Sequence, residues 1–398
     1  MHNQNKLNFF IWTVPFLNST GRSIYDLAFI WMILEMTGSE KITGLVAMTS
    51  YVPAILFGIF LGSMVDSFSK TKIISYGILL QILVLLIFPF SFKVGIQSIG
   101  LFVILAFLHN AFSLPMVPAF NSYLPTKIKK ESLLKANSIV NVSWQIAVFI
   151  GPIIASQLLS SFEVQTIFFF CCFFYLLASL IAKIAPADDQ EYEKIEFAKI
   201  WSKTREGFDY LLSNKTFLTI VLLTVVSNLF VMGPAIVGIP VLVKIYLGGS
   251  AADFALTEAF VGVGMLLGTA LVYRLSRIFS HGKLFLLGLF IDGGSFCFYY
   301  FVSDLLELNI LSFLHGIGIP FLIISRVSIL QKHVPEKLLG RIFAIISTSI
   351  VGMTAFSSGI FGLLSDFIEA PTIFLIFGIL ASFCGIIGYL NPNIKTLN

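Results

Sequence analysis

Apolar runs of about twenty residues recur from one end of this chain to the other, and that recurrence limits the fold more than any single motif. A helix rises 1.5 Å per residue, so about twenty residues cross the ~30 Å hydrocarbon core of a bilayer. Twelve spans are expected, at about 9–35, 43–65, 73–92, 98–118, 137–160, 164–184, 216–243, 254–275, 284–303, 306–330, 341–365 and 371–391. The runs lack the short alternation of barrel strands, the other way to satisfy every backbone hydrogen bond in lipid. Of the 398 residues, 57% are hydrophobic and only 12% are charged. A soluble domain carries roughly 25% charged residues. The expected class is an all-α integral membrane protein.

The opening residues, "MHNQNKL", are too short and polar to form a leader, so the first apolar run is read as a retained helix. Cys171, Cys172, Cys297 and Cys384 lie inside apolar runs without metal or disulfide spacing, which points to packing thiols. Basic residues gather in alternate loops. Lys70 and Lys72 fall in one, Lys127, Lys129, Lys130 and Lys135 in the next, and Lys194, Lys199, Lys203, Arg205 and Lys215 in a third. Arg274, Arg277 and Lys283, then Lys332, Lys337 and Arg341, complete the set, whereas the opposite loops hold Lys41, Lys93 and Lys244. The positive-inside bias predicts a multi-pass protein of the inner (cytoplasmic) membrane with both termini in the cytoplasm.

Residues 188–215, "DDQEYEKIEFAKIWSKTREGFDYLLSNK", form the one long hydrophilic stretch. Phe197, Trp201, Thr204, Phe208 and Leu211 recur there at helical spacing, as in an amphipathic helix lying at the cytoplasmic interface. The stretch separates two halves that match at an offset of about 205. Pro115 pairs with Pro320, and "ESLLKAN" from Glu131 with "EKLLGRI" from Glu336. The expected organisation is a six-helix bundle at 1–184, a linker with an amphipathic helix at 185–215, and a second six-helix bundle at 216–398. Parallel repeats of this kind build transporters whose site lies between bundles near the midplane.

Polar residues inside the spans are the candidate working parts, because intramembrane charge is costly unless it is paired or reaches water. Arg22 and Asp26 are four apart and share a helix face with Asn18 and Tyr25. Asp26 is a candidate proton-titrating carboxylate, with Arg22 as its partner and a contact for an anionic substrate; the alternative is a static pair joining helices. His109 is a second candidate proton site, since histidine titrates near physiological pH. Asn110, the Asn141, Trp144 and Gln145 patch, Asn228 at the repeat position of Arg22, and Arg326 are further candidate cavity residues. Arg326 has a competing reading as a cation snorkelling to the interface. Asp292, in a span expected at the periphery, is read as a structural hydrogen-bonding group, and His315 is left open.

The loop after the second span, "GSMVDSFSKTKI" from Gly62, resembles the signature loop of the major facilitator superfamily through Gly62, Asp66, Lys70 and Lys72. Ser67 and Ser69 depart from that pattern. "IWMILEMTGS" (30–39), "FSLPMVPAFNSYLP" (112–125), "TREGFDYLLSNKTF" (204–217) and "QKHVPEKLLGRIFAI" (331–345) resemble the efflux branch that holds macrolide exporters and the enterobactin exporter. The resemblance covers almost the whole chain. It implies a cytoplasmic gate at Gly62, Asp66, Lys70 and Lys72, and a helix-bending Gly151–Pro152 similar to the antiporter motif. Many proton-coupled relatives carry an Arg where this chain has His109 and Asn110, so their coupling scheme does not transfer directly.

There is no G-x-x-x-x-G-K-[ST], no metal-ligand spacing and no nucleophile elbow, so neither a nucleotide-driven pump, a metal site nor an enzyme is expected, and no cofactor. The function expected is proton-coupled export of a small amphipathic organic molecule, of drug or siderophore type, by alternating access. Uptake or facilitated diffusion of a small nutrient is the alternative. The expected partners are the small-molecule substrate, protons and the lipid bilayer, with no nucleic acid, and the chain is read as a monomer.

Overall fold

In lipid each apolar run must close its own backbone hydrogen bonds, and a helix does this within one segment. The computed structural model describes residues 2–58, 61, 65, 68–128, 130–186 and 197–397, and every regular element among them is helical. The helices are α1 (His2–Thr37), α2 (Glu40–Phe57), α3 (Lys70–Lys93), α4 (Ile99–Ser113), α5 (Met116–Lys127), α6 (Lys130–Ser161) and α7 (Val164–Lys183). They continue as α8 (Phe197–Ser213), α9 (Lys215–Gly233), α10 (Ala251–Leu275), α11 (His281–Phe298), α12 (Leu305–His333), α13 (Glu336–Leu364), α14 (Ala370–Leu390) and α15 (Pro392–Lys395). The helix begun by α9 runs on to Tyr246 through two π-helical turns, Pro234–Gly238 and Leu242–Tyr246.

Ten helical stretches among the described residues are long and apolar enough to cross a membrane, from Lys70–Lys93 to Ala370–Leu390. They coincide with the third to twelfth expected spans. The first two expected spans are also helices, α1 and α2, but fall outside these ten. Physically, α1 carries Asn18, Arg22 and Asp26 in its middle, and α2 opens on Glu40 and Lys41. The paired prolines behave differently. Pro115, followed by Pro118, interrupts the fourth span between α4 and α5, whereas Pro320 sits inside an unbroken α12. Two prolines three residues apart remove two ladder donors within one turn, and a single one is absorbed by its neighbours.

Contacts divide the chain into two compact units, Met1–Met32 with Thr49–Ile200, and Ile33–Met48 with Trp201–Asn398. The first is centred on rings: Phe88 stacks on Phe168 at 4.5 Å and on Phe102 at 5.5 Å, and all three are fully buried. The second is held by close helix approaches. A Cβ on Gly264 of α10 would lie 2.1 Å from the Phe313 carbonyl oxygen of α12, and one on Gly316 would lie 2.2 Å from that of Val261. Small residues four apart let membrane helices touch backbone to backbone.

The expected amphipathic helix exists as α8, and its residues from Arg205 onward pack on the second unit. Leu211 is buried in a cluster with Phe217 and Ile345, Gly207 abuts Ile345 and Arg341, and Glu206 pairs with Arg341. Phe208 stays exposed. The side chains of Phe197, Trp201 and Thr204 lie outside the described residues.

Candidate functional site

The polar residues expected to work together in the first unit do meet. Helical spacing puts Arg22 and Asp26 on one side of α1, and Arg22 Nε donates to Asp26 Oδ2 at 3.1 Å. The rest of the guanidinium reaches α4: Nη2 donates to Asn110 Oδ1 at 2.6 Å, and Nη1 to Ser113 Oγ at 2.8 Å. Asn110 is aimed by its own amide, which donates to the Ala106 carbonyl at 2.9 Å, and Ser113 donates to the Asn110 carbonyl at 2.7 Å. Arg22 is thus held by one charged and two neutral acceptors. The second Asp26 oxygen has no hydrogen-bond partner among the described residues, and half of the side-chain surface is exposed.

Behind the pair lies a second polar layer. His109, fully buried, sits with its ring centroid 3.9 Å from that of Tyr25, and its Nε2 meets the Tyr175 hydroxyl at 3.2 Å. His109 Nδ1 and the Tyr25 hydroxyl are buried without a hydrogen-bond partner among the described residues. Gly21 makes room for this layer, because a Cβ there would stand 2.8 Å from the Tyr175 ring. Gly151 of α6 makes room for α1 itself, since a Cβ there would lie 2.5 Å from Ser23. The Gly151–Pro152 pair therefore stands where α6 approaches α1.

Other expected residues stand apart. Trp144 is half-buried and Gln145 exposed on α6, and no hydrogen bond ties them to the Arg22 cluster. The Asn141 side chain, Gly62 and Asp66 lie outside the described residues. Lys70 opens α3 and is buried, while Lys72 lines an apolar cavity of about 560 Å³ in the first unit with Phe57, Tyr76, Phe112 and Pro115. In the second unit, Asn228 turns its amide back to the Thr224 carbonyl at 2.9 Å. Arg326 is buried with Nε and Nη1 unpartnered among the described residues. Asp292 pairs with His315, Oδ1 to Nδ1 at 3.3 Å, both buried between α11 and α12.

Sequence reasoning missed Ser113 and Tyr175. Ser113 had a signal, since His109, Asn110 and Ser113 make one polar stripe on a helix otherwise apolar. Tyr175 had none, being one aromatic among many in α7.

The profile of the Major Facilitator Superfamily matches residues 11–290 and again 221–395. The chain belongs to the major facilitator superfamily. It is a transporter, not an enzyme. Among its relatives is macrolide efflux protein A of Streptococcus pyogenes, 22% identical over 361 residues and 86% of each chain. The staphyloferrin A transporter of Staphylococcus aureus is 24% identical over 274 residues, 65% of this chain and 68% of its own. The fold is similar to that of a mutant of the nucleoside transporter NupG, with a TM-score of 0.78 at 13% identity over 96% of this chain and 99% of that one.

Proposed function

We propose that this superfamily member exports a small amphipathic organic molecule in exchange for protons, with Asp26 as the group for which proton and substrate compete. The observation that carries this reading is the division of labour around Arg22. Each of its three nitrogens donates, to Asp26, Asn110 or Ser113, while the second Asp26 oxygen has no partner among the described residues and the carboxylate is half exposed. A carboxylate that is neutralised on one side and open on the other accepts either a proton or a donor from a ligand, not both. Mutual exclusion at one atom is what exchange requires: ligand leaves when the proton arrives, and the reverse. The buried His109, Tyr25 and Tyr175 layer backs the pair and is the second place to look for a proton.

Two six-helix bundles, 1–184 and 216–398, joined through 185–215, would alternate access to this group. The orientation inferred from the basic loops puts both termini in the cytoplasm of an inner membrane. The activities for which the relatives are named, macrolide efflux and staphyloferrin A transport, support an organic cargo of drug or siderophore type.

The test is uptake into everted membrane vesicles of a macrolide, a catecholate siderophore and a lipophilic dye, with and without an imposed proton gradient. Wild type is expected to accumulate at least one of them only with the gradient, and Asp26→Asn to abolish that dependence. Gradient-driven accumulation unchanged in Asp26→Asn would reduce Arg22–Asp26 to a structural pair and move the proton to His109. Gradient-independent equilibration would favour facilitated diffusion instead.

A further inference from the structure

The second unit carries a cavity of about 800 Å³ lined by Arg277, His281, Lys283, Lys332 and Lys395 together with Ser276, Ser280, Tyr389 and Thr396. No carboxylate among the described residues lines it. None of its lysines or its arginine is in an ion pair among the described residues. Their contacts are aromatic: Lys395 Nζ lies 4.2 Å from the Tyr389 ring centroid, and the Arg277 guanidinium 5.0 Å from that of Tyr273. Four permanent cations within one concavity repel each other, and no carboxylate among the described residues pairs with them.

The wall of this cavity is built, not draped. The tail around α15 is fastened to the start of α11: Gly282 N–H donates to the Leu397 carbonyl at 2.9 Å and Ser280 Oγ to the Lys395 carbonyl at 2.5 Å. Ile394 is fully buried, and its carbonyl oxygen lies so close to Gly282 that any Cβ there would overlap it. This fastening brings Lys395, 112 positions beyond Lys283, to the same cavity. A run of basic loop residues that only set topology would need no such closure.

The rim identifies the source of the missing charge. Ile278, Phe279, Tyr389 and Leu390 are exposed beside the cations, with Ile278 and Leu390 about three-quarters bare. Apolar side chains next to basic ones at the ends of membrane spans match a molecule with an anionic head and apolar tails, and basic pockets at such ends hold lipid phosphates. We propose that this cavity binds the phosphate headgroup of an anionic phospholipid, with Lys283, Lys332 and Lys395 as the main contacts. The site is independent of the transport reading and of its substrate.

The test is native mass spectrometry of the purified full chain in detergent with equal amounts of phosphatidylglycerol and phosphatidylcholine of the same acyl chains. Wild type is expected to retain phosphatidylglycerol about tenfold better, and Lys283→Gln/Lys332→Gln/Lys395→Gln to lose that preference. The corresponding triple Lys→Arg variant keeps it, which separates charge from folding. Lys127→Gln/Lys183→Gln, in the first unit, also keeps it, which separates this cavity from general surface charge. Equal retention of the two lipids by wild type, an unchanged preference in the Gln triple, or loss in either control overturns the proposal. So does displacement of the lipid by inorganic phosphate at about 10 mM, which would assign the cavity to a free anion.

Discussion

A guanidinium in a membrane helix needs its positive charge answered, and the half-buried Arg22 and the buried Arg326 are answered in opposite ways. Arg22 donates from all three nitrogens, to Asp26, Asn110 and Ser113, whereas Arg326 has Nε and Nη1 unpartnered among the described residues. Removing one member of a pair leaves an uncompensated charge, so Asp26→Asn should destabilise the first unit. Asp26 is about half exposed, so screening reduces the cost to about 1–2 kcal/mol. The double variant Arg22→Gln/Asp26→Asn should be less destabilised than the sum of the singles, and thermal unfolding in detergent measures this. Strict additivity would mean the two side chains do not interact. For Arg326 the expected effect is on cargo. Arg326→Gln should lower the apparent affinity for an anionic cargo about tenfold or more and leave a neutral one unchanged, as when a charge-assisted hydrogen bond is lost. Equal loss for both would return Arg326 to a structural role. The i, i+4 pair was legible in the sequence because helical spacing fixes it. Its partners were not, because Asn110 and Ser113 are 88 and 91 residues away and meet Arg22 only after α1 and α4 pack.

At the scale of elements, apolar length was enough to locate ten of the twelve expected spans, although the fourth runs on to Lys127, nine residues past its expected end, but not how the helices touch. The π-helical turns at Pro234–Gly238 and Leu242–Tyr246 illustrate the difference. Gly233, just before the first, donates its N–H to Ser357 Oγ at 2.6 Å, and a Cβ there would lie 2.4 Å from the Ser357 carbonyl oxygen. The partner helix thus shapes this segment, and no local pattern announces it. The α10–α12 contact gives a test with an internal control. Gly264→Leu should force the helices apart and cost about 3 kcal/mol or more, as overpacking against backbone does. Gly340→Ala, on α13 with open space around it, should stabilise by about 0.5–1 kcal/mol through helix propensity. Urea or thermal unfolding of both variants reads the contrast. A harmless Gly264→Leu would mean that the approach is not tight.

For the whole molecule, orientation is the property that charge alone predicts, because each basic loop adds to the same bias. The ends of α7 and α10 join the basic set, and those of α3 and α13 the other. Exposed apolar residues mark both: Ile184 and Ile278 on the basic side, Val94 and Phe367 opposite. In a background with its cysteines replaced, single cysteines at these four positions can be challenged with a membrane-impermeant maleimide on intact cells. Cys171, Cys172 and Cys384 are buried and Cys297 half-buried, so replacing them with serine removes little exposed surface. Val94→Cys and Phe367→Cys are expected to label at once, and Ile184→Cys and Ile278→Cys only after the membrane is opened. The reverse pattern would invert the chain in the membrane. The positive-inside reading would then fail, although every helix stayed where it is. Labelling of both Val94→Cys and Ile184→Cys from outside would instead break the span count, since an odd number of crossings must separate them.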